Sequence, residues 1–369
     1  MVPFAGYSMP VLYKGQSQVE SHNWTRTKCG IFDVSHMLQS YITGVDSVKF
    51  LHKVTPTDFT ALQNNSNSLT VLLNEDGGVV DDSIVTKENA EGKKFYVVTN
   101  AGCIDQDTKF INGELEKNFK NSDVKWEVLT DRSLFAIQGP LSQEILSRFV
   151  DGKVLESLFF GQRIKNVIVS SFPGLTLDIA RSGYTGEDGF EISISTAFYE
   201  SFIKKLLEIK ECKMIGLAAR DSLRLEAGMC LYGHELNEKI TPVEASLSWL
   251  ISKPRRAEAS FNGAFKIMDQ LKNKTHTKLR TGFKFLGKGP AAREETPIFK
   301  DLEKTEQVGV VTSGSPSPSL GNINIGQAYL NKPYNKSGTK LFVSVGKKGK
   351  LFPIEVVKLP FVESKYYKQ

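Results

Sequence analysis

Two apolar runs, Leu69-Thr-Val-Leu-Leu73 and Val79-Val-Asp-Asp-Ser-Ile-Val85, are joined by Asn74-Glu-Asp-Gly-Gly78. Turn residues between apolar, β-branched segments commit this stretch to an antiparallel hairpin. A lone hairpin is marginal in water, so other elements must cover its apolar side. The strand period of two puts Val80, Asp82 and Ile84 on one face, and Val79, Asp81, Ser83 and Val85 on the other. Asp82 thus stands between two β-branched apolar side chains. A carboxylate so placed is either exposed on a sheet face of mixed polarity or held in a desolvated pocket, where its pKa rises and proton chemistry becomes available. Asp81 reads as a polar group on a second, partly wet face.

Around this hairpin the chain alternates helical and strand patterns. A helix is expected from about 16 to 28, then Gly30-Ile-Phe-Asp-Val-Ser-His-Met37 leading into a strand near 38–42, and a helix near 45–54 with Asp46 at its start. Phe95-Tyr-Val-Val-Thr-Asn100 reads as a strand whose last residue either offers its amide to a ligand or caps the helix expected at 104–119. Strands follow at 126–129, 133–138 and 175–180, with a short helix at 142–149. The glycines at 183, 186 and 189 do not form a phosphate loop, because Phe190-Glu-Ile-Ser-Ile194 alternates as a strand where a helix N-terminus would be required. That loop is a glycine-rich hairpin presenting Tyr184 and Glu191, and a helix at 197–209 succeeds it.

Gly216-Leu-Ala-Ala-Arg-Asp-Ser-Leu-Arg-Leu-Glu-Ala-Gly228 is rich in helix formers and stops at glycine. Arg220, Asp221 and Arg224 share one side of that helix. Apolar neighbours imply that some of this charge is buried, either as an internal ion-pair network or against a ligand. From about Pro254 the texture changes. A linker and a helix near 265–273 lead into short β segments at 279–285, 308–312, 327–330, 340–345 and 351–357, separated by Gly-, Pro- and Ser-rich turns. Such spacing indicates a small antiparallel barrel. Periodicity alone therefore gives an α+β chain followed by an all-β module.

The 369 residues allow two or three domains. No apolar run nears the roughly 20 residues of a membrane span. The cysteines (Cys29, Cys103, Cys212, Cys230) and histidines (His22, His36, His52, His234, His276) form no zinc or metalloprotease spacing, so no metal is expected. A net charge of +6 is mild. The basic runs Lys253-Pro-Arg-Arg256 and Lys347-Lys-Gly-Lys350 are too short, and lack the interleaved aromatics, for a nucleic-acid platform; the first is a candidate face for an acidic protein partner.

Taken together and in this order, Gly30–Met37, Gly77-Gly-Val-Val-Asp-Asp82, Gly183-Tyr-Thr-Gly-Glu-Asp-Gly-Phe-Glu191, Gly216–Gly228 and Val311-Thr-Ser-Gly…Ser-Pro-Ser-Leu320 closely resemble the T-protein, or aminomethyltransferase, family of the glycine cleavage system. The resemblance runs nearly end to end, and the Tyr366-Tyr-Lys-Gln369 ending is similar to the eukaryotic, fungal, mitochondrial form. Family members usually begin with a further upstream segment, so the resemblance implies that a first strand or helix and any presequence are missing here.

The fold it implies is a three-domain cloverleaf: residues 1–44 with 139–254, residues 45–138, and a linker with a C-terminal antiparallel β-barrel at 255–369. It implies tetrahydrofolate as co-substrate, lipoylated H-protein as partner, and the P- and L-proteins as indirect partners in the mitochondrial matrix. The products are ammonia, 5,10-methylenetetrahydrofolate and the reduced lipoyl carrier. Departure of sulfur or ammonia from the one-carbon unit builds positive charge, which a carboxylate stabilises. By family position Asp82 is that carboxylate, with Asp81 its alternate if the strand phase shifts. Glu191 matches a ligand for the amidine-like edge of folate, Arg220 a ligand-binding arginine, and Tyr366 a contact near the C-terminus. Tyr184 is expected against the ring, Met37 and Val98 as apolar walls, and Asn100 on the polar edge. Glu191 and Arg220 could instead pair with each other or with neighbours. A folate-binding iron–sulfur assembly factor, a folate-dependent demethylating oxidase domain and a non-catalytic H-protein scaffold are the rival readings.

Overall fold

The computed structural model describes residues 1–369. Its contacts divide the chain into two units: one of residues 1–72, 80–220 and 365–369, the other of residues 73–79 and 221–364.

The first unit holds two antiparallel-rich sheets. The five-stranded sheet takes its strands, in spatial order, from Asn67–Leu73, Val79–Lys87, Lys94–Thr99, Leu38–Thr43 and Lys125–Val128. Register pairs Ile84 with Val98 and Ser83 with Thr99, and pairs Gln39 with Val98. One face of this sheet therefore carries Asp82, Ile84, Val98 and Gln39, and the other carries Asp81, Ser83, Val85, Val97 and Thr99. The second face packs on the helices Ser47–Val54 and Ile104–Asn118 through Phe50, Leu51, Val54, Val85, Phe95, Val97 and Ile111. Asp81 is thus fully buried, at 0% exposure, while Asp82 is half-buried. The expectation of a partly wet face for Asp81 is wrong: the Ile104–Asn118 helix covers it.

The six-stranded sheet runs, in spatial order, Arg163–Ile168, Thr176–Ala180, Gly189–Ser195, Arg132–Gln138, Cys29–Asp33 and Cys212–Met214. Its core includes Ile31, Phe135, Ile137, Ile179, Phe190, Ile192 and Phe202. Leu38–Thr43 sits in the five-stranded sheet and Arg132–Gln138 in the six-stranded one, so sheet membership changes between Asp33 and Leu38 and again between Val128 and Arg132. Buried Gln39 joins the two sheets: its carbonyl accepts from Tyr96 Oη at 2.8 Å and Ser193 Oγ at 2.6 Å, and its amide donates to the Arg132 carbonyl at 3.1 Å. Nearby Arg163 pairs with Glu88 and, at 2.9 Å, with Asp178, and lies 3.8 Å over the Tyr96 ring. A buried guanidinium is tolerated only with partners of this kind.

The second unit contains a closed barrel of Lys278–Phe285, Ile323–Asn331, Gln307–Ser317, Pro297–Phe299, Lys340–Val345 and Lys350–Val357, all antiparallel neighbours. Phe283, Ile298, Val308, Val311, Leu330, Val343 and Ile354 fill it. The expected barrel is present, with the short Pro297–Phe299 strand added. Arg224 resolves one open question. It is buried, pairs with Asp221 at 2.8 Å and Glu235 at 2.9 Å, and donates to Ser313 Oγ at 2.8 Å. For this arginine the internal ion-pair network is the answer.

The run Lys253-Pro-Arg-Arg256 is not a basic loop. It opens a short helix, Lys253–Glu258, with Ser252 accepting from the Arg255 backbone and proline in the first turn. Arg255 is buried and pairs with Glu258, and Arg256 donates to the carbonyls of Ile251 at 2.7 Å and Ser248 at 2.8 Å. Only the charge of Arg255 is paired with a carboxylate; Lys253 is exposed and Arg256 half-buried.

Candidate active site

Asp82 projects from the middle of the second hairpin strand, on the face shared with Ile84 and Val98. Its Oδ1 accepts from Asn100 Nδ2 at 3.1 Å. The same nitrogen donates to Asp81 Oδ1 at 2.9 Å, and the Asn100 backbone N–H donates to Asp81 Oδ2 at 2.9 Å. Asn100 stands where the Lys94–Thr99 strand ends and a short 3-10 turn, Ala101–Cys103, begins. Its side chain does not cap that turn. Its amide nitrogen bonds the two aspartates instead.

Burial pushes Asp82 up to about 8, and the neighbouring charge of Asp81 adds to the effect; the Asn100 hydrogen bond opposes it. Asp81 lies well above the usual carboxylate range, through burial first and the charge of Asp107 second. Of the adjacent pair, only Asp82 presents its carboxyl on the face away from the helices.

The second cluster belongs to the six-stranded sheet. Glu191, on the Gly189–Ser195 strand, is half-buried and accepts from Ser182 Oγ at 2.7 Å. Ser193, two residues on and so on the same face, makes the bond to Gln39. Glu191 therefore belongs to the surface that meets the Asp82-bearing face of the other sheet, and its charge is felt at Tyr96 on that sheet. Arg220 lies on the Leu217–Glu226 helix with its guanidinium 4.9 Å from the Tyr184 ring centre. Burial lowers the Arg220 pKa, and the Tyr184 and Glu191 charges oppose that shift. Glu191, Tyr184 and Arg220 thus form one electrostatic group, held partly by their own neighbours.

Residues 1–255 of this chain match the glycine cleavage T-protein N-terminal domain, and residues 278–363 match the glycine cleavage T-protein C-terminal barrel domain. The chain belongs to the glycine cleavage T-protein family. It is 58% identical to the mitochondrial aminomethyltransferase of Saccharomyces cerevisiae, over 100% of this chain and 92% of that one. It is 43% identical to the mitochondrial aminomethyltransferase of Canis lupus familiaris, over 100% of this chain and 87% of that one. The crystal structure of glycine cleavage system aminomethyltransferase T from Bartonella henselae superimposes with a TM-score of 0.88 at 34% identity, covering 100% of this chain and 95% of that one. A T-protein of this kind is an enzyme, its relatives place it in the mitochondrion, and no helix is long and apolar enough to cross a membrane.

The remaining candidates are dispersed around these clusters. Val98 is buried and pairs with Ile84, and half-buried Met37 lies in the turn before Leu38–Thr43. Tyr366 stacks on Phe160 at 4.0 Å between ring centres. The adjacent Lys365 ties this C-terminal segment to the Tyr184 loop, donating its backbone N–H to Gly186 at 2.8 Å and its ammonium to Glu187 at 3.1 Å. No group of His, Cys, Asp and Glu suited to a metal is present.

Sequence reasoning passed over three groups. Ser182 orients Glu191. His36 packs against Phe4 and Tyr7 and is lowered to about 4 by burial and by Arg220, so it is neutral. Its place in the Gly30–Met37 motif was the available signal. Asp107, fully buried on the Ile104–Asn118 helix beside Asp81, had no local signal at all.

Proposed function

We propose that this T-protein moves the one-carbon unit of an aminomethyl group, carried on the sulfur of lipoylated H-protein, to tetrahydrofolate, and that Asp82 is the carboxyl group at the reacting centre. In the balanced reaction the carbon–sulfur and carbon–nitrogen bonds break and two bonds form to folate nitrogens. The two protons released from those nitrogens end on the thiol and on ammonia.

The observation that carries this reading is the division of labour within the aspartate pair. Asp81 is sealed beneath a helix, whereas Asp82 is half-buried on the opposite face with its carboxyl held by Asn100. With its pKa raised to about 8, Asp82 keeps a proton until a cation approaches, then ionises to stabilise the charge that develops on the one-carbon unit. As a carboxylate it accepts a proton from the attacking folate nitrogen.

Glu191 is the acceptor we assign to the amidine-like edge of folate. Ser182 fixes one of its oxygens, and a carboxylate accepts such an edge through paired hydrogen bonds. Tyr184 and Arg220, already in contact, would bear on the folate ring and its charge, with Val98, Met37 and Tyr366 supplying apolar contact. The three-domain division, 1–44 with 139–254, 45–138 and 255–369, belongs to the same proposal; sheet membership changes a few residues before its first two boundaries, at 33–38 and 128–132.

The test is ammonia release and methylenetetrahydrofolate formation from aminomethylated H-protein, with folate binding measured in parallel. Turnover by the unmodified chain, largely lost in an Asp82→Asn variant that still binds folate, is the expected result. A chain that binds folate but forms neither product would return the argument to an assembly-factor or scaffold role.

A further inference from the structure

We propose that Asp107 is a positioning residue: it shares one proton with Asp81, and through Asn100 this acid pair holds the side chain of Asp82 in place. The proposal deepens the reading of Asp82 given above and rests on it for its functional meaning.

Asp81 and Asp107 are each 0% exposed, one reaching down from the hairpin strand and the other up from the helix that covers that face. Two adjacent carboxylates removed from water do not both ionise; one proton is retained between them. The surroundings supply no other remedy. The groups facing the pair are Thr99 and Asn100 from the middle strand, Cys103 from the 3-10 turn, and Asp82, and none of them is a cation.

Neither oxygen of Asp107 has a partner in good hydrogen-bonding geometry; the neutral Thr99 hydroxyl lies near enough to oppose the rise of Asp107, and brings no charge. Asn100 gives its bonds to Asp81 and Asp82, not to Asp107. A proton between Asp107 and Asp81 is the arrangement that satisfies both acids. It agrees with Asp107 being pushed up to about 7, by burial first. The Cys103 thiol, raised chiefly by burial, stays neutral and adds no charge.

The link to the site is one amide group. Its two hydrogens allow Asn100 Nδ2 to bond Asp81 and Asp82 at once, at 2.9 and 3.1 Å. If Asp81 carried a full charge unshared, it would repel Asp82 more strongly and draw the amide towards itself. Sharing the proton tempers that charge and leaves the amide bridging both.

Infrared spectroscopy of the protein with carbon-13-labelled aspartate tests this directly. At pH ~9, roughly one unit above the point where Asp82 ionises, a protonated-carboxyl band is expected in the unmodified chain and in Asp82→Asn, and its titration is expected to move to lower pH in Asp107→Asn, which removes the neighbouring charge that helps Asp81 keep its proton. In turnover, Asp107→Asn should lower kcat by about tenfold with little change in KM for folate, and move the acid limb of the pH profile to higher pH. Absence of the band from the unmodified chain overturns the proposal, and that measurement needs no variant to fold. An unmoved titration of the band in a folded Asp107→Asn also overturns it. Because the band is read without turnover, failure of the transferase reading would show separately, as product formation unaffected by Asp82→Asn.

Discussion

Asn100 donates its side-chain amide to Asp82 at 3.1 Å from the end of the neighbouring strand. That bond lowers the pKa of Asp82, against the larger upward effect of burial. Replacing Asn100 with alanine removes it, so the acid limb of kcat/KM should move to higher pH and activity at neutral pH should fall about tenfold. Steady-state rates across a pH series check both effects. An unchanged acid limb would show that the bond does not govern the ionisation that matters.

Asp82 itself couples pH to stability. Its ordinary value of 3.8 rises to about 8 on folding, so the folded state binds the proton more tightly. The stability this adds is whole below pH 3.8 and is lost as pH rises to about 8. Asp82→Asn does not ionise and escapes that loss. Thermal melts should give the variant a higher Tm than the unmodified chain in alkali, by a few degrees if roughly 1 kcal/mol is at stake, with the two converging in acid. Parallel curves at all pH values would contradict the assignment.

What the sequence made legible follows from how local each signal is. The hairpin, its turn and the opposite directions of Asp81 and Asp82 come from a two-residue period, and the strands at Asn67–Leu73 and Val79–Lys87 obey it. Which face is wet was not legible, because the Ile104–Asn118 helix that covers Asp81 is distant in sequence. The same reason hides Asp107. Cys212–Met214 escaped notice because three residues carry no period; its pairing with Cys29–Ile31 is set by tertiary structure. The Lys253 helix, by contrast, was legible in Ser252 and Pro254, and reading the basic run as surface charge overlooked that capping pattern.

Glu191 should separate binding from chemistry. Glu191→Gln keeps the shape and an acceptor for Ser182, but loses the charge expected to meet the folate edge. Charge-assisted hydrogen bonds are worth about 1.5–3 kcal/mol, so folate affinity should fall roughly 10- to 150-fold while the rate at saturating folate changes less. Equilibrium folate titration is the measurement. Full affinity in the variant would assign Glu191 to shaping the Tyr184–Arg220 loop instead.

Arg224 offers a stability test within the second unit. Its guanidinium meets Asp221 and Glu235, and Glu235 is fully buried, at 0% exposure. Thr312 Oγ1, at 2.5 Å, and the Leu231 backbone N–H, at 2.9 Å, also donate to Glu235, but neither brings a charge. Arg224→Met therefore leaves a buried carboxylate without its cation, and loss of one partner from such a pair costs about 3–5 kcal/mol. Adding Glu235→Gln removes the stranded charge while keeping an acceptor for Thr312, so the double variant should recover a substantial part of that loss. Urea denaturation of the two single variants, the double variant and the unmodified chain gives the coupling. Additive losses would mean that the arginine stabilises this region by filling space and bonding Ser313, with no specific debt to Glu235.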